Sequence, residues 1–480
     1  MQRSPIDSPE RLDPAPVVHE LSPAPDPEDV LRRLADRPYC LFLDSALVHP
    51  VLGRWSFLTA DPFETIRVPA DGSDALARLA ERLAAFPVAS LPEMPPFQGG
   101  AAGLFSYDLG RSLERLPAPR FDEFGVPAMA VGLYDVVIAF DHASERAWII
   151  SQGLPEIERD RRQRRAESRL QEMLDWLAGD AKPRARSASH LPPVPAAELC
   201  PQYNVSGPAG LTSNFSEPLY LDAVQRAIDY IFAGDLFQVN IAQRLLFPGR
   251  DDAVSLYLRL RRRNPATFAG YFDVGDFQIC SASPERFLQV HDRQVEARPI
   301  KGTRQRTARP EADLYSGAEL RASEKDRAEN VMIVDLLRND LARVCTPESV
   351  HVTQLCQLES YAYVQHLVSA VEGRLRNEVS AVDLIRAAFP GGSITGAPKI
   401  RAMEVIAELE RVARGPYCGS LGYVGFDGEV DMSILIRTIT AGRGWWQLPV
   451  GGGIVAQSHP LAEYDETWHK AEGLMRALAP

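Results

Sequence analysis

The sequence predicts an α+β fold in which antiparallel β-sheets are flanked by helices. Three observations support this fold class. Strands adjacent in sequence form hairpins, helical segments lie between the hairpins, and no Gly-x-Gly-x-x-Gly follows a strand as it would in a dinucleotide-binding fold. The chain has 480 residues, 45% of them hydrophobic, and can therefore bury a large core as one domain or two closely joined domains.

The first half of the chain divides into three stretches. Residues 1–25 are rich in Pro, Asp and Glu and are expected to form a flexible N-terminal segment. Residues 26–178 are predicted to form the N-terminal part of the fold, with a hairpin over 136–150 and a helix over 155–178. That helix carries apolar residues on one side: Ile157, Leu170, Met173, Leu174 and Leu177. The Pro-, Ser- and Ala-rich stretch 179–212 is interpreted as a linker.

Residues 213–480 are patterned more regularly and form the second part of the predicted fold. Hydrophobic spacing predicts helices over 220–232, 323–344 and 398–412, and a final helix from about 462. Strands are predicted over 237–242 and in hairpins that turn at 274–276, 291–294, 426–429 and 441–444.

Composition limits the function. The formal charge of −12 argues against nucleic acid as a partner, because phosphate binding needs a concentrated basic surface. An anionic ligand must then be held by a few local cations, helix N-termini or a metal ion. The scattered cysteines show neither a Cys-x-x-Cys pair nor His at zinc spacing, and they are interpreted as reduced thiols. With no signal peptide and no apolar run long enough to cross a bilayer, the protein is expected to be soluble and cytoplasmic, without a membrane partner.

Lys301, in Pro299-Ile-Lys-Gly-Thr303, is the first candidate for chemistry. The pattern places it at the end of a predicted strand over 294–300, where a proline and a glycine punctuate the backbone. Upstream, Glu285 lies in a similar context, since a proline also comes shortly before it in Ser-Pro-Glu-Arg. A solvated charge at a strand end is the ordinary alternative, but the groups downstream favour a buried amine that attacks a small acidic substrate.

Two pairs of acids are spaced three residues apart near the start of predicted helices. Asp326 and Glu329 form one pair, and Glu463 and Glu466 form the other. This spacing puts both carboxylates of a pair on one helix face, and two pairs could converge on one Mg²⁺ ion. The alternative is that acids at helix N-termini only complement the helix dipole.

Two glycine-rich segments and one embedded arginine are further candidates. Residues 391–399 resemble the start of a phosphate loop, but Ala-Pro-Lys replaces the required Lys-Ser/Thr, so a nucleotide site is rejected. Ser393 and Thr395 in that segment would suit a carboxylate. Residues 450–455 form a glycine run where a ligand can approach the backbone, or a bulge without a ligand. Arg437 is predicted in an apolar strand, where a substrate carboxylate or a structural salt bridge would be its partner.

Together these segments resemble the chorismate-utilising enzymes. The resemblance is carried by long runs at Pro96–Tyr107, Ala233–Asn240, Ser283–Arg286, Arg298–Thr303, Ala328–Asp340, Pro390–Lys399, Gly451–Ala456 and Glu463–Glu466. It implies two large antiparallel β-sheets packed together with helices on the outside, and a chorismate-binding catalytic region at 213–480.

The resemblance also implies roles for individual residues. Glu329 and Glu466 match direct ligands of a Mg²⁺ ion that binds the ring carboxylate of chorismate, while Asp326 and Glu463 match positions that act through water. Glu285 matches the general acid that assists departure of the C4 hydroxyl. The remaining matches are substrate-contacting or catalytic positions: Thr303, His366, Thr395, Tyr417, Arg437, Gly451, Gly452 and Gly453. For His366 alone, the residue pattern favours a satisfied core histidine.

Lys301 selects a branch of this family. Anthranilate synthases are similar to Pro-Ile-Ala-Gly-Thr at this segment, and there ammonia itself attacks C2 of the ring. In the aminodeoxychorismate-forming branch the neutral lysine amine attacks C2, and ammonia then adds at C4 and expels the lysine. The resemblance therefore implies formation of 4-amino-4-deoxychorismate for 4-aminobenzoate and folate synthesis.

The resemblance further implies partners. Ammonia would come from glutamine through a separate amidotransferase subunit, because this chain has no Gly-x-Cys-x-Gly elbow. We expect a heterodimer, activity with ammonium alone, and no lyase activity. The alternatives are an anthranilate or isochorismate synthase, or a non-catalytic regulatory protein that binds an aromatic amino acid. Relatives bind tryptophan in the region that matches residues 43–46 and 53–57.

Overall fold

The computed structural model describes residues 15–49, 52–88, 90–179, 191–305, 310–360 and 364–479. The strands are, in chain order, β1 (Val17–Leu21), β2 (Leu41–Asp44), β3 (Trp55–Thr59), β4 (Glu64–Val68), β5 (Gly100–Phe105), β6 (Met129–Tyr134), β7 (Val136–Asp141), β8 (Arg146–Ser151), β9 (Tyr203–Asn204), β10 (Thr212–Ser213), β11 (Gln238–Pro248), β12 (Phe268–Asp273), β13 (Phe277–Ser283), β14 (Arg286–His291), β15 (Gln294–Ala297), β16 (Ile300–Gln305), β17 (His351–Ser360), β18 (Val364–Arg374), β19 (Gly396–Ala397), β20 (Ser420–Gly425), β21 (Val430–Ile434), β22 (Thr438–Gly442) and β23 (Trp445–Ile454).

The helices surround these strands. They are α1 (Pro27–Leu34), α2 (Ala75–Ala84), α3 (Gly110–Leu113), α4 (Arg159–Ala178), α5 (Glu217–Phe232), α6 (Ala253–Arg263), α7 (Pro310–Ala322), α8 (Glu324–Ala342), α9 (Ala381–Ala388), α10 (Lys399–Glu410) and α11 (Pro460–Leu478). In the part of the chain that the structure describes, none of these helices is both long and apolar enough to cross a membrane.

Two antiparallel sheets organise the chain. The first has the strand order β1-β8-β7-β3-β2-β12-β13-β22-β23-β11-β10-β9, with β19 also paired to β11. The second has the order β16-β18-β15-β14-β21-β20-β5-β6-β4, with β17 also paired to β18. Both sheets combine strands from the two halves of the sequence, since β2 pairs with β12 and β5 pairs with β20. The predicted α+β fold with two packed antiparallel sheets is confirmed.

The sheets pack face to face through aromatic side chains. Phe57 of the first sheet meets Tyr423 of the second edge to face, with ring centroids 5.7 Å apart. A Cβ added at Gly103 in β5 would lie 2.8 Å from Phe272 Cε1 in β12. The glycine therefore permits an approach between the two sheets that a larger residue would prevent.

Most predicted elements occur near their predicted positions, and the differences have local causes. The predicted helix over 155–178 begins at Arg159, and Ile157 precedes it with 79% of its side chain exposed. The predicted strand over 294–300 is divided into β15 and β16, because Pro299 has no N–H to donate to a ladder. Within the expected linker, β9 and β10 extend the edge of the first sheet.

Candidate active site

Lys301 is the second residue of β16, so it begins a strand rather than ending one, contrary to the sequence prediction. The pairing of β16 with β18 shifts register between Lys301 and Thr303. Gly302 lies at this bulge with φ +73°, a conformation that favours glycine. A Cβ there would also lie 3.0 Å from Cγ of Asp326, so the Asp326 carboxyl group lies directly beside the bulge. The side chain of Thr303 is outside the described residues.

Lys301 and Glu285 both contact Ser393. Nζ of Lys301 donates to the backbone oxygen of Ser393 over 3.1 Å. The Ser393 hydroxyl donates to Oε1 of Glu285 over 3.0 Å. Glu285 is only 4% exposed and lies between β13 and β14. The proposed nucleophile and the proposed acid are therefore held by one residue, although they are separated in sequence.

Burial sets the protonation of Glu285. Removal from water raises the pKa of its carboxyl group from the ordinary 4.5 to about 7. The charge of Lys301 and the hydrogen bond from Ser393 oppose that rise. A carboxylic acid with this pKa keeps a large protonated fraction at neutral pH, which a general acid needs.

Arg437 lies beside His366, Tyr417 and Glu466. Burial lowers the pKa of Arg437, and the nearby Tyr417 and Glu466 oppose that change. Burial, with the positive charge of Arg437, lowers the pKa of His366 to about 4, so the imidazole is neutral at pH 7. His366 also interacts with the backbone of Gly302, which connects this group to the Lys301 bulge.

The environment of Arg437 differs from the prediction of an apolar strand. Arg437 lies in the connection between β21 and β22 with φ +53°, and its Nη1 donates to the Lys470 backbone oxygen over 3.4 Å. Among the ion pairs of the described residues, none contains Arg437. A half-buried guanidinium that makes no ion pair among the described residues, although the charge of Glu466 acts on it, is suited to an anionic ligand.

The glycine run forms a flat wall on β23. Gly451, Gly452 and Gly453 pair with β11, and a Cβ at Gly451 would lie 2.5 Å from the Ile241 backbone oxygen. A Cβ at Gly453 would lie 2.5 Å from Nε2 of Gln238. Gln238 is fully buried, and within the described residues neither polar atom of its amide has a hydrogen-bond partner. Such a buried amide is costly in a folded protein.

The acid pair on α11 approaches Gly452, which faces the opposite side of β23 from Gly451 and Gly453 because successive strand residues alternate between faces. A Cβ at Gly452 would lie 3.4 Å from Oε2 of Glu463 and 3.7 Å from Oε1 of Glu466. Ser458 donates to Oε1 of the buried Glu463 over 2.6 Å. Lys470 lies 2.7 Å from Oε1 of Glu466 and donates to the Gly451 backbone oxygen over 2.8 Å. An ammonium group thus lies against the carboxylate that was predicted to bind the metal.

The donor set suits Mg²⁺ in part. Within the described ranges, no three His, Cys, Asp or Glu side chains are grouped as a metal site. Glu463 and Glu466 nevertheless approach one point at Gly452, and Mg²⁺ commonly uses one or two carboxylates together with water and substrate oxygens. Asp326 lies at the Lys301 bulge, and the half-buried Glu329 follows it on α8. Oxygen ligands of this kind fit the ion.

Three functional contacts were missed or misplaced by the sequence analysis. Ser393 and Thr395 lie in the turn before α10, which begins at Lys399, close to the predicted start at 398; the partners of their hydroxyls within the protein were not predicted. The Thr395 hydroxyl donates to the Gly391 backbone oxygen over 3.0 Å, and Ser393 donates to Glu285. Gln238 was not singled out, although its position in the run Ala233–Asn240 was available as a signal.

The site brings an amine and a carboxylic acid together at Ser393, with a guanidinium near His366, and such groups suit a small anionic molecule. The profile described as "chorismate binding enzyme" matches residues 50–476. The chain belongs to this family of chorismate-binding enzymes.

Relatives with two different activities are similar to the chain. Aminodeoxychorismate synthase component 1 of Klebsiella aerogenes is 38% identical over 459 residues, covering 93% of this chain and 95% of the relative. Anthranilate synthase component 1 of Thermus thermophilus is 41% identical over 405 residues, covering 84% and 82%. The crystal structure of anthranilate synthase component I from Streptococcus pneumoniae has a TM-score of 0.74 at 31% identity, covering 89% and 94%.

Proposed function

We propose that this chain is the chorismate-binding component of an aminodeoxychorismate synthase. It would convert chorismate and ammonia to 4-amino-4-deoxychorismate and water. The observation that carries the proposal is the position of Lys301. Its amine and the buried carboxyl group of Glu285 both contact Ser393. An anthranilate synthase, the alternative suggested by relatives of similar identity, would have no use for an amine at this position.

The first step of the proposed reaction uses the amine of Lys301 and the carboxylic acid of Glu285. Neutral Lys301 forms a bond from Nζ to C2 of the ring, the double bond shifts, and the C4–O bond breaks. Glu285 donates its proton to the departing oxygen, which leaves as water. Ammonia then forms a bond to C4 while the bond from Nζ to C2 breaks, and the lysine is released as the free amine after proton transfer. The pKa of Glu285 near 7 supports the donor role.

Other residues bind and orient the substrate. Arg437, without an ion-pair partner among the described residues, offers a bidentate site to a carboxylate. Neutral His366 and buried Tyr417 line the same group, and Gly451 to Gly453 let the ring approach the backbone of β23. Mg²⁺ held by Glu329 and Glu466, with Asp326 and Glu463 acting through water, would neutralise the ring carboxylate.

A partner follows from the need for ammonia. We infer that a glutamine amidotransferase subunit supplies it, in keeping with the name "component 1" of the relatives. The chain would then function in a heterodimer in folate synthesis. Tryptophan bound near β2 and β3 is a separate proposal, which rests only on the resemblance in that region.

Product identification tests the function. The purified chain is incubated with chorismate, Mg²⁺ and ammonium, and the products are separated and identified by mass spectrometry. We expect 4-amino-4-deoxychorismate from the wild type and its loss in Lys301→Ala. Anthranilate as the main wild-type product would refute the proposal, and so would retained aminodeoxychorismate synthesis in Lys301→Ala.

Two controls separate an effect of the substitution on folding from an effect on the reaction. Lys301→Ala must keep the wild-type melting temperature, because the change removes a half-buried side chain that makes one hydrogen bond. Glu81→Gln, an exposed change on α2, should leave the product and its rate unchanged.

A further inference from the structure

Ser393 contacts the two reacting groups through different atoms. Its backbone oxygen accepts from Lys301 Nζ at 3.1 Å, and its hydroxyl donates to Glu285 Oε1 at 3.0 Å. Ser393 is 8% exposed and is the middle residue of the 3-10 turn Gly392–Ile394. The contact with Lys301 uses the backbone and does not depend on the side chain, so the hydrogen bond to Glu285 is what the serine hydroxyl adds.

The donors to Glu285 reach only one of its oxygens. The Ser393 hydroxyl and, at a longer 3.5 Å, the Ile300 backbone N–H both approach Oε1. Among the hydrogen bonds of the described residues, none is donated to Oε2 of Glu285. A protonated carboxyl group has one hydroxyl donor and one carbonyl-like acceptor. Two donors on Oε1 make that oxygen the acceptor and leave the proton on Oε2.

The turn that carries Ser393 is fixed by its packing. A Cβ at Gly392 would lie 2.3 Å from Leu336 Cδ2 on α8, and one at Gly391 would lie 3.5 Å from Phe287 Cδ2 on β14. The Thr395 hydroxyl closes the turn by donating to the Gly391 backbone oxygen. This packing leaves little room for the turn to shift, so the backbone of Ser393 is held beside Glu285.

Two other titratable groups interact with Glu285. The charge of Lys301, on β16, lowers the pKa of Glu285. The buried Cys418 thiol is neutral at working pH, because burial raises its pKa to about 12. Among the described residues, neither group donates a hydrogen bond to a carboxyl oxygen of Glu285, whereas the Ser393 hydroxyl donates to Oε1 and so favours the proton on Oε2.

We propose that Ser393 is a positioning residue that confines the catalytic proton to Oε2 of Glu285 and holds the Lys301 amine on its other side. This inference rests on the proposed function of Glu285 as the acid. The proton passes from Oε2 to the C4 oxygen, the C4–O bond breaks, and Glu285 is left as a carboxylate. Lys301, oriented by the Ser393 carbonyl, forms its bond to C2 in the same step.

Ser393→Thr and Ser393→Val form the decisive pair, because they have similar size and differ in the hydroxyl group. The first measurement needs no substrate. The infrared C=O band of protonated Glu285, identified by its absence in Glu285→Gln, is followed as a function of pH. In Ser393→Val the band should move to higher wavenumber, since Oε1 has lost a donor, and its titration should move upward by about half to one pH unit. Ser393→Thr should stay close to the wild type.

The second measurement is steady-state turnover of chorismate. In Ser393→Val we expect kcat to fall roughly 10- to 100-fold, a part of what general acid catalysis contributes, with KM changed less than about twofold. Ser393→Thr should recover most of kcat. A purely structural role would lower both variants together or alter KM.

The outcomes distinguish this inference from the proposed function. Identical bands, titrations and kcat values for the Val and Thr variants would overturn the role of Ser393. Anthranilate as the wild-type product would overturn the proposed function, while the infrared comparison would still report on the Ser393 hydrogen bond.

Discussion

Replacing Glu285 by glutamine should stabilise the protein, and the gain should grow with pH. The folded pKa of Glu285 is raised from 4.5 to about 7 by burial. A group with a raised folded pKa contributes fully below its unfolded pKa, and that contribution is lost as the pH rises toward the folded value. Glutamine stays neutral at every pH and avoids this loss.

The size of the effect follows from the pKa. A rise from 4.5 to about 7 corresponds to about 3 kcal/mol of destabilisation above pH 7. At pH 5.5 linkage leaves only about 1.4 kcal/mol, so the advantage of Glu285→Gln should increase by about 2 kcal/mol between pH 5.5 and 8.5. For a chain of 480 residues that increase corresponds to a difference of about 2 °C in melting temperature.

The assay is calorimetry on the wild type and Glu285→Gln in parallel across this pH range. Only the difference between the two melting temperatures is interpreted, so other titrating groups cancel. Glu81→Gln, with the same chemical change on the exposed surface of α2, is the control and should show no such trend. A difference between wild type and Glu285→Gln that is constant from pH 5.5 to 8.5 would refute the raised pKa and the burial argument behind it.

Three further changes test the walls of the site. Gln238→Leu should raise the free energy of unfolding by roughly 1–3 kcal/mol, because it removes a buried amide that has no hydrogen-bond partner among the described residues, and it should raise KM for chorismate. Chemical denaturation and kinetics check both, and an unchanged KM would exclude contact with the ligand. Lys470→Met should lower the Kd for Mg²⁺ by roughly two- to fivefold, because the Lys470 ammonium competes with the metal ion for the partly exposed Glu466. Isothermal titration calorimetry measures this Kd, and weaker binding of Mg²⁺ would contradict the prediction. Arg437→Gln should raise KM for chorismate roughly 10- to 100-fold, and Arg437→Lys should recover part of this loss. Equal KM values for wild type and Arg437→Gln would rule out Arg437 as the binding site of a substrate carboxylate.

Local pattern predicted much of this molecule. Hairpin turns and helical spacing identified most strands and helices of the C-terminal half, since those signals lie within a few residues of each other. The three-residue spacing of Glu463 and Glu466 correctly placed both near the start of α11, and they meet at Gly452. Candidate residues that lie in such a local pattern could be predicted from the sequence alone.

Contacts across long stretches of chain were not predictable from that pattern. The strand at Lys301 was misplaced because its bounds depend on Pro299 and on pairing with β18, which follows more than fifty residues later. Ser393 reaches Glu285 across 108 residues, and its own segment gives no sign of a buried carboxyl partner. Gln238 resembles an ordinary strand residue until Gly453 is placed beside it.

The first sheet contains strands from both halves of the sequence, and this affects how the chain folds while it is being synthesised. Strands β1, β2, β3, β7 and β8 emerge from the ribosome first, but β2 has an open edge until β12 has been made. β11 likewise waits for β23, near the end of the chain. Unpaired edges on a nascent chain can join other chains, and sheets closed by distant strands fold slowly. A ribosome that stops before β23 releases a chain with an open strand edge, which makes such truncated products candidates for chaperone binding and degradation.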